Sequence, residues 1–214
     1  LVGSEMCIRD RGYAVAGGQQ YHACDLTVEG DYSQAAFFCV ANALGSDITL
    51  TNLNPESVQG DKKIVEIVRE MCYNREQGLP AGFTVDAADI PDLVPILAVL
   101  ATFGTAPSSI TGAHRLAIKE SDRLASTADL LNRLGGKVTA TPDGLEIEPV
   151  EHLHGGTVDS CGDHRIAMCA AVAATRCAGE VTILHGECVE KSYPRFYEDY
   201  RQLGGIANVI VLES

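Results

Sequence analysis

Three short stretches in the second half of the chain concentrate residue types that bind anions and move protons. They are Lys119-Glu120-Ser121-Asp122-Arg123 (the KESDR segment), Gly162-Asp163-His164-Arg165 (the GDHR segment) and Lys191-Ser192-Tyr193-Pro194 (the KSYP segment). Each is predicted to end a loop and open a helix, where backbone N–H groups have no intrahelical partner. Because that end of a helix already attracts anions, cations there are mildly unfavourable unless a multiply charged ligand binds between them. The pattern therefore predicts a pocket for phosphate and carboxylate groups.

The chain as a whole is acidic, so the basic residues gathered in these segments run against its overall composition. Its 214 residues contain 16 Lys and Arg against 29 Asp and Glu, which gives a formal net charge of -13. Because nucleic acids are bound through basic surfaces, no nucleic-acid partner is expected. No apolar run reaches the roughly 18 residues of a membrane span, so no membrane partner is expected either. The hydrophobic content of 46% is sufficient for the core of a compact α/β protein.

The eight cysteines do not indicate a disulfide scaffold. A chain of this length and hydrophobicity does not need one. Cys39, Cys169 and Cys177 lie in apolar helical runs, where a thiol behaves as a small hydrophobic group, and no Cys-x-x-Cys pair occurs. This pattern favours a reducing compartment, and a cytoplasmic location is expected.

A loosely repeated series of elements is predicted to position the three segments. An Asp precedes an Ala-rich, apolar helix three times, at Asp31, Asp92 and Asp163, and these helices are predicted at 32–44, 93–102 and 164–177. Runs rich in β-forming residues follow at 47–53, 109–112 and 180–184, and amphipathic helices at 62–71, 121–134 and 193–203. A hairpin is predicted for 137–140 and 145–148. The Ala-rich helices are expected inside and the amphipathic helices outside, in repeated α/β subdomains.

The polar, breaker-rich run between residues 74 and 82 predicts a domain boundary. Residues 13–76 are then interpreted as the last repeat of a first lobe and 77–214 as most of a second lobe. Residues 1–12 have no starting Met and no periodicity. They are interpreted as a non-native junction segment, and an upstream part of the protein is expected to be missing.

Together with Gly30-Asp31-Tyr32-Ser33 and Ile90-Pro91-Asp92, the three segments resemble the enolpyruvyl transferase family, in the branch that uses shikimate 3-phosphate. Each short motif is weak alone, but their order along residues 13–205 is specific. The resemblance implies two lobes, each built from three βαβαββ units, with the active site in the cleft between them. The expected fold class is therefore α/β (α+β), with repeated βαβαββ subdomains truncated at the N-terminus.

The reaction implied by the resemblance belongs to the shikimate pathway of aromatic amino-acid biosynthesis. The enolpyruvyl group of phosphoenolpyruvate is transferred to a hydroxyl of shikimate 3-phosphate, by addition and then elimination of phosphate. No metal and no organic cofactor is required. Two catalytic carboxylates are implied: Asp92 as the acceptor of the hydroxyl proton, and Glu120 as the acid/base for the methylene carbon of phosphoenolpyruvate.

Four cations and one histidine are the substrate-binding candidates that the resemblance implies. Arg123 and Arg165 correspond to the pair that grips the phosphoenolpyruvate carboxylate, which suits the planar fork of arginine. Lys191 corresponds to the lysine on the phosphate side and Lys119 to the lysine that reaches the shikimate hydroxyls. His164 is either a pocket donor or a structural histidine.

The residues themselves leave simpler roles open. Asp92 beside Pro91 also fits a helix cap, and Asp163 is interpreted mainly as a cap. Glu120, flanked by Lys119 and near Arg123, should have a lowered pKa. Its alternative role is a surface ion pair with Arg123, worth only tenths of a kcal/mol.

Three further hypotheses compete with the intact shikimate enzyme. One is enolpyruvyl transfer to UDP-N-acetylglucosamine, and another is an inactive anion-binding fragment. The third, a zinc site using Cys161-x-x-His164 or His152-x-His154, lacks a second ligand pair.

The chain also departs from the family pattern. Gln34 stands where the family often has a second Ser, and Phe37 where some members have a Tyr. The family's N-terminal lysine, a further arginine and its Ser-Ser-Gln phosphate site have no counterpart in the sequence. The chain is therefore expected to hold about half of an active site, and a full-length member is expected to be monomeric.

Overall fold

The structure is a computed structural model that describes residues 6–9, 12–79 and 81–210. The α-helices of this part are α1 Tyr32–Ala43, α2 Ile64–Glu76, α3 Val94–Thr102, α4 Arg123–Arg133, α5 His164–Ala174 and α6 Phe196–Gln202. The strands are β1 Met6–Arg9, β2 Gly12–Val15, β3 Thr84–Asp86, β4 Ser108–Thr111, β5 Lys137–Thr141, β6 Gly144–Glu148, β7 Gly156–Asp159 and β8 Val181–Leu184.

The elements β3, α3, β4, α4, β5 and β6 form one complete βαβαββ unit. The strand order in its sheet is β3-β4-β6-β5. β3 and β4 pair in parallel, whereas β6 runs antiparallel to both of its neighbours. The predicted hairpin is confirmed as β5–β6. Its turn requires glycine at Gly144, because a Cβ there would collide with the carbonyl oxygen of Ile110.

The other repeats are less complete within the described residues. β7 and β8 pair in parallel around α5, and a 3₁₀ turn, Gly186–Lys191, leads to α6. The prediction of β structure at 47–53 is wrong, because the structure has no strand there. A strand needs a neighbour for its ladder. Here Gly30 donates to the carbonyl of Asn52, and the side chain of Asn42 bonds both backbone groups of Ile48.

The prediction that the Ala-rich helices lie inside is confirmed for α3 and α5. Every residue of α3 is buried, as are all residues of α5 except the last. α4 has a mixed pattern, with Leu124, Leu130 and Leu131 buried and Asp129 half exposed. A helix that is apolar all round needs neighbours on every side. Core residues therefore pack around α5 and hold its first turn in place.

Two of the three helices near these segments start later than predicted, whereas α5 starts at His164 as predicted. α4 begins at Arg123 because Asp122 caps it, accepting a hydrogen bond from the backbone N–H of Ala125 at 3.1 Å. α6 begins at Phe196, beyond Pro194, whose ring disfavours helical backbone in the residue before it. The GDHR segment opens its helix directly. Only Arg123 of the KESDR segment is helical, and the KSYP segment precedes α6.

The predicted boundary and junction segment are only partly within the described residues. α2 continues to Glu76, inside the run predicted to separate the domains, and residue 80 lies outside the description. In the segment 1–12, residues 1–5 and 10–11 lie outside it as well, and Met6–Arg9 pairs antiparallel with Gly12–Val15. The division into lobes and the non-native origin of 1–12 stay predictions.

None of the helices in the described part of the chain has the length and apolar character needed to cross a bilayer. Seven of the cysteines are free thiols, namely Cys24, Cys39, Cys72, Cys161, Cys169, Cys177 and Cys188. Burial raises the pKa of Cys39, and that of Cys177 to about 11, in keeping with their predicted packing role.

Candidate active site

The seven predicted site residues lie together in the structure. Asp92 belongs to the 3₁₀ turn Pro91–Leu93, which leads into α3. Lys119 and Glu120 precede the cap of α4, and Lys191 ends the 3₁₀ turn Gly186–Lys191. The remaining three are Arg123 in the first turn of α4, and His164 and Arg165 in the first turn of α5.

Arg123 is the centre of the ion-pair network. Its side chain is only 1% exposed. Nη1 donates to Asp92 Oδ1 at 2.9 Å, and Nη2 donates to Glu120 Oε2 at 2.5 Å. Nε donates to Asp163 Oδ2 at 2.7 Å, and Nη2 also reaches Asp163 Oδ1 at 3.3 Å. Three carboxylates thus surround one guanidinium, which has five N–H donors in all.

Asp92 joins both arginines. Its Oδ2 accepts from Arg165 Nη2 at 2.9 Å, while its Oδ1 accepts from Arg123 and lies 3.7 Å from Lys119 Nζ. Neither the 3₁₀ turn Pro91–Leu93 nor α3 has a side-chain cap. The capping alternative for Asp92 is therefore wrong, since its carboxylate is directed at cations.

Glu120 is held between two cations. Lys191 Nζ lies 2.5 Å from its Oε1, and Arg123 bonds its other oxygen. The hydrogen bond from Lys191 is the largest cause that lowers the pKa of Glu120 to about 2, with Arg123 adding to it and partial burial opposing it. The predicted lowering is confirmed, but the main partner is Lys191, because Lys119 lies beside Asp92 instead. The alternative role of Glu120, a surface ion pair with Arg123, does not fit, because the Arg123 side chain is buried.

The first turn of α5 contains two buried polar atoms without a hydrogen-bond partner among the described residues. They are Nδ1 of His164 and Nε of Arg165. Burial lowers the pKa of His164, and the positive charge of Arg165 lowers it further. The imidazole is therefore neutral near pH 7. Such unpaired groups at a helix N-terminus suit a ligand that offers complementary partners.

Sequence reasoning missed three participants. Asp163 contacts Arg123 in addition to capping α5, and Ser121 donates to Asp163 at 3.2 Å. Asp61 accepts a hydrogen bond from Ser33, and burial, followed by the nearby charge of Asp92, raises its pKa. The signal for Asp163 was present, because it lies next to two candidate residues. No sequence pattern indicated Asp61.

The two departures from the family pattern lie in different surroundings. Gln34 lines a cavity of about 310 Å³ between the start of α1 and the KSYP segment, and its Oε1 has no partner among the described residues. Phe37 is only 1% exposed and belongs to the core. A contact between Phe37 and a bound substrate is therefore not supported by the structure.

The described residues contain no group of three or more His, Cys, Asp and Glu side chains placed to hold a metal ion. The rings of His152 and His154 pack edge to face at 5.8 Å, and His154 also covers the α4 end at Gly135.

Comparison with known proteins identifies the family. A family model described as EPSP synthase (3-phosphoshikimate 1-carboxyvinyltransferase) matches residues 5–200. The chain belongs to the EPSP synthase family. This match begins inside the segment 1–12, and it confirms the family resemblance drawn from the KESDR, GDHR and KSYP segments.

Relatives of known name share much of the sequence. The 3-phosphoshikimate 1-carboxyvinyltransferase of Clostridium acetobutylicum is 45% identical over 202 residues, which cover 91% of this chain and 47% of the relative. The enzyme of that name from Clostridium perfringens is 44% identical over 206 residues, covering 92% of this chain and 49% of the relative. The chain thus spans about half the length of the curated relatives it matches.

Solved structures confirm the fold class. EPSP synthase from Acinetobacter baumannii superposes with a TM-score of 0.75 at 27% identity, over 94% of this chain and 52% of that chain. The enolpyruvyl transferase NikO from Streptomyces tendae has a TM-score of 0.61 at 18% identity, which shows a shared fold alone. The predicted α/β class with βαβαββ subdomains is confirmed.

Proposed function

We propose that this chain provides one side of the active site of a 3-phosphoshikimate 1-carboxyvinyltransferase. The enzyme would transfer the enolpyruvyl group of phosphoenolpyruvate to shikimate 3-phosphate and release phosphate. The observation that carries the proposal is the single network in which four cations meet three carboxylates from separate segments. Relatives that are 45% and 44% identical to this chain carry the name of this activity.

The two partly exposed carboxylates of the network, Asp92 and Glu120, are assigned the two proton transfers of the reaction. In the addition step, Asp92 takes the hydroxyl proton as the oxygen attacks C2 of phosphoenolpyruvate, while Glu120 delivers a proton to the methylene carbon. In the elimination step, a proton returns from the new methyl group to Glu120 as the C–O bond to phosphate breaks, and the proton taken up by Asp92 is passed to the departing phosphate. General acid–base catalysis of this kind contributes about 10²–10⁴-fold to a rate.

The cations supply charge compensation for the substrates. Arg165 and Arg123 face the carboxylate of phosphoenolpyruvate, although most donors of Arg123 are already paired with protein carboxylates. Lys191 faces the phosphate, and Lys119, partly exposed beside Asp92, faces the shikimate hydroxyls. His164 adds a neutral partner at the α5 N-terminus. No cofactor is assigned, and we propose that the complete enzyme acts as a monomer in the cytoplasm.

The inactive anion-binding fragment stays the second candidate. It is favoured by one observation, that the chain covers 47% of the length of its relative from Clostridium acetobutylicum. In that case the network would still bind phosphate, but it would not turn over substrate.

Phosphate release from a reconstituted enzyme distinguishes the two candidates. The chain is mixed with a separately expressed N-terminal half of a family member, and assembly is verified by size-exclusion chromatography. Phosphoenolpyruvate and shikimate 3-phosphate are then added. Release that disappears in Glu120→Gln and Asp92→Asn, but not in the exposed control Asp129→Asn, supports the enzyme. An assembled mixture without release supports the inactive fragment.

A further inference from the structure

Asp163 connects two of the three segments through one buried carboxylate. Its side chain has 0% exposure, and both oxygens are occupied. Oδ2 accepts from Arg123 Nε at 2.7 Å and from Ser121 Oγ at 3.2 Å. Oδ1 accepts from the backbone N–H of Arg165 at 2.9 Å and from Arg123 Nη2 at 3.3 Å. The same side chain thus caps α5 and holds the KESDR segment.

Capping alone does not account for this arrangement. A cap requires one acceptor oxygen for a backbone N–H group in the first turn. Asp122 does this at α4 from an exposed position, where it accepts from Ala125 N. Asp163 uses its second oxygen and part of its first for a guanidinium 40 residues away in sequence. Burying a carboxylate costs free energy unless a cation is paired with it. The contact with Arg123 therefore compensates for the burial of Asp163.

The two bonds from Asp163 fix the plane of the Arg123 guanidinium. Paired bonds from Nε and a terminal nitrogen to one carboxylate restrict both rotation and tilt of the planar group. With the plane fixed, Nη1 is directed at Asp92 and Nη2 at Glu120, at 2.9 Å and 2.5 Å. The directions of both proposed catalytic carboxylates therefore depend on a residue that contacts neither of them.

We propose that Asp163 is a positioning residue: its carboxylate orients Arg123, and Arg123 in turn holds Asp92 and Glu120 at the spacing that the reaction requires. The effect on the reaction rests on the proposed function. The hold on Arg123 is a property of the chain alone, so the two parts are tested separately.

The hold on Arg123 is tested by NMR of arginine Nε–Hε groups in the intact chain. Arg133 is an internal control, because its Nε also donates to a carboxylate, Asp129 at 2.6 Å, but its side chain is 56% exposed. We expect the Arg123 Hε to exchange with water about 100-fold more slowly than that of Arg133, since its exchange requires local opening. Equal exchange rates in the unmodified chain would overturn the proposal, whatever the stability of any variant.

Asp163→Asn separates orientation from capping. Asn is as good a cap as Asp, so the bond to the backbone of Arg165 is retained while the charge paired with Arg123 is lost. We expect Arg123 Hε exchange to accelerate about tenfold or more relative to Arg133. Asp122→Asn, the matched cap control, should leave this exchange unchanged. Unchanged exchange in a folded Asp163→Asn chain would also overturn the proposal.

The kinetic part uses the chain assembled with the N-terminal half. We expect kcat of Asp163→Asn to fall about 100-fold, because misplacement of catalytic groups by about 1 Å has effects of that size. KM for shikimate 3-phosphate should change much less. Ser121→Ala, which removes only the neutral bond to Asp163, should lower kcat by a few fold. Wild-type kcat in Asp163→Asn, or a loss equal to that of Asp122→Asn, would contradict the positioning role. An inactive wild-type assembly would refute the proposed function, while the exchange measurement would still decide the hold on Arg123.

Discussion

At the scale of single residues, Glu120 is the group whose chemistry depends most on its partners. Lys191 and Arg123 bond its two oxygens, and the pKa of Glu120 is about 2 as a result. An acid that works near neutral pH needs a higher value. A phosphate group that engages Lys191 would weaken the contact with Glu120 and raise its proton affinity. In the proposed enzyme, substrate binding and activation of the acid would thereby be coupled through Lys191.

Replacing Lys191 tests this coupling. In Lys191→Met, the main cause of the lowered pKa is removed, and we expect the pKa of Glu120 to rise from about 2 toward its usual 4.5. The measurement is a ¹³C NMR titration of side-chain carboxyls in the labelled chain. Lys137→Met, at an exposed position in β5, is the control. A Glu120 that still titrates near its original value would show that Lys191 is not its main partner.

The same ion pair predicts a pH dependence of stability. The pKa of Glu120 is lower in the folded chain than in the unfolded chain, so its contribution is fully present above the unfolded value of about 4.5. That contribution is lost as the pH falls through about 2. We expect the difference in unfolding free energy between wild type and Lys191→Met to shrink across this window. Urea titrations at several pH values measure it, and a constant difference would contradict the assignment.

Replacing each of the two arginines of α4 should lower the unfolding free energy by very different amounts. Arg123→Met leaves Asp163 buried without its cation, and we expect a loss of about 3–5 kcal/mol in unfolding free energy. Arg133→Met removes an exposed pair with Asp129 and should cost at most about 0.5 kcal/mol. Urea unfolding of the two variants gives the comparison. Similar losses would mean that burial does not set the strength of these pairs.

At the scale of elements, helices were more predictable than strands. The apolar surfaces of α3 and α5 are local properties of their sequences, and both helices lie inside as predicted. The run 47–53 has the composition of a strand, but a ladder depends on a distant partner that composition does not reveal. Helix starts were displaced by two or three residues where the cap, Asp122, or Pro194 was not taken into account.

The β5–β6 turn gives a stability prediction at this scale. In Gly144→Ala, the added Cβ would meet the carbonyl oxygen of Ile110, so β4 and β6 must separate locally. We expect a loss of about 1–3 kcal/mol, as for other forced overpacking. Gly17→Ala is the control, because nothing lies within 4 Å of its added Cβ, and its effect should stay within about 0.5 kcal/mol. Thermal unfolding of both variants measures the difference, and an unaffected Gly144→Ala would contradict the close approach.

At the scale of the whole molecule, the location of the candidate site was predictable from the sequence, but the pairing of its carboxylates with its cations was not. Cations at predicted helix starts indicated one anion pocket, and the structure brings Lys119, Arg123, Arg165 and Lys191 together. Which carboxylate faces which cation depends on contacts across the fold. Glu120 and Lys191, for example, are 71 residues apart. Proximity in sequence suggested Lys119 as a partner of Glu120, but the structure places Lys119 beside Asp92 and Lys191 beside Glu120.

The cation cluster predicts that inorganic phosphate stabilises the intact chain. A ligand that binds only the folded state raises stability by about 2.7 kcal/mol at 100 times its dissociation constant. We expect Tm to rise with phosphate concentration beyond any change produced by sodium chloride at equal ionic strength. Arg165→Met should reduce the rise, whereas Arg195→Met, at an exposed arginine, should not. Equal effects of phosphate and chloride would contradict a specific anion site.

The contrast between a chain of net charge -13 and a local cluster of four cations has a kinetic consequence. An anionic ligand would meet a repulsive field at long range and an attractive one only close to these cations. Dissolved salt screens the long-range field over about 10 Å at 0.1 M, so it removes repulsion from the approach while weakening the final contacts. Association and dissociation would then both become faster as salt increases. This differs from the usual case of electrostatic steering, in which added salt slows the encounter.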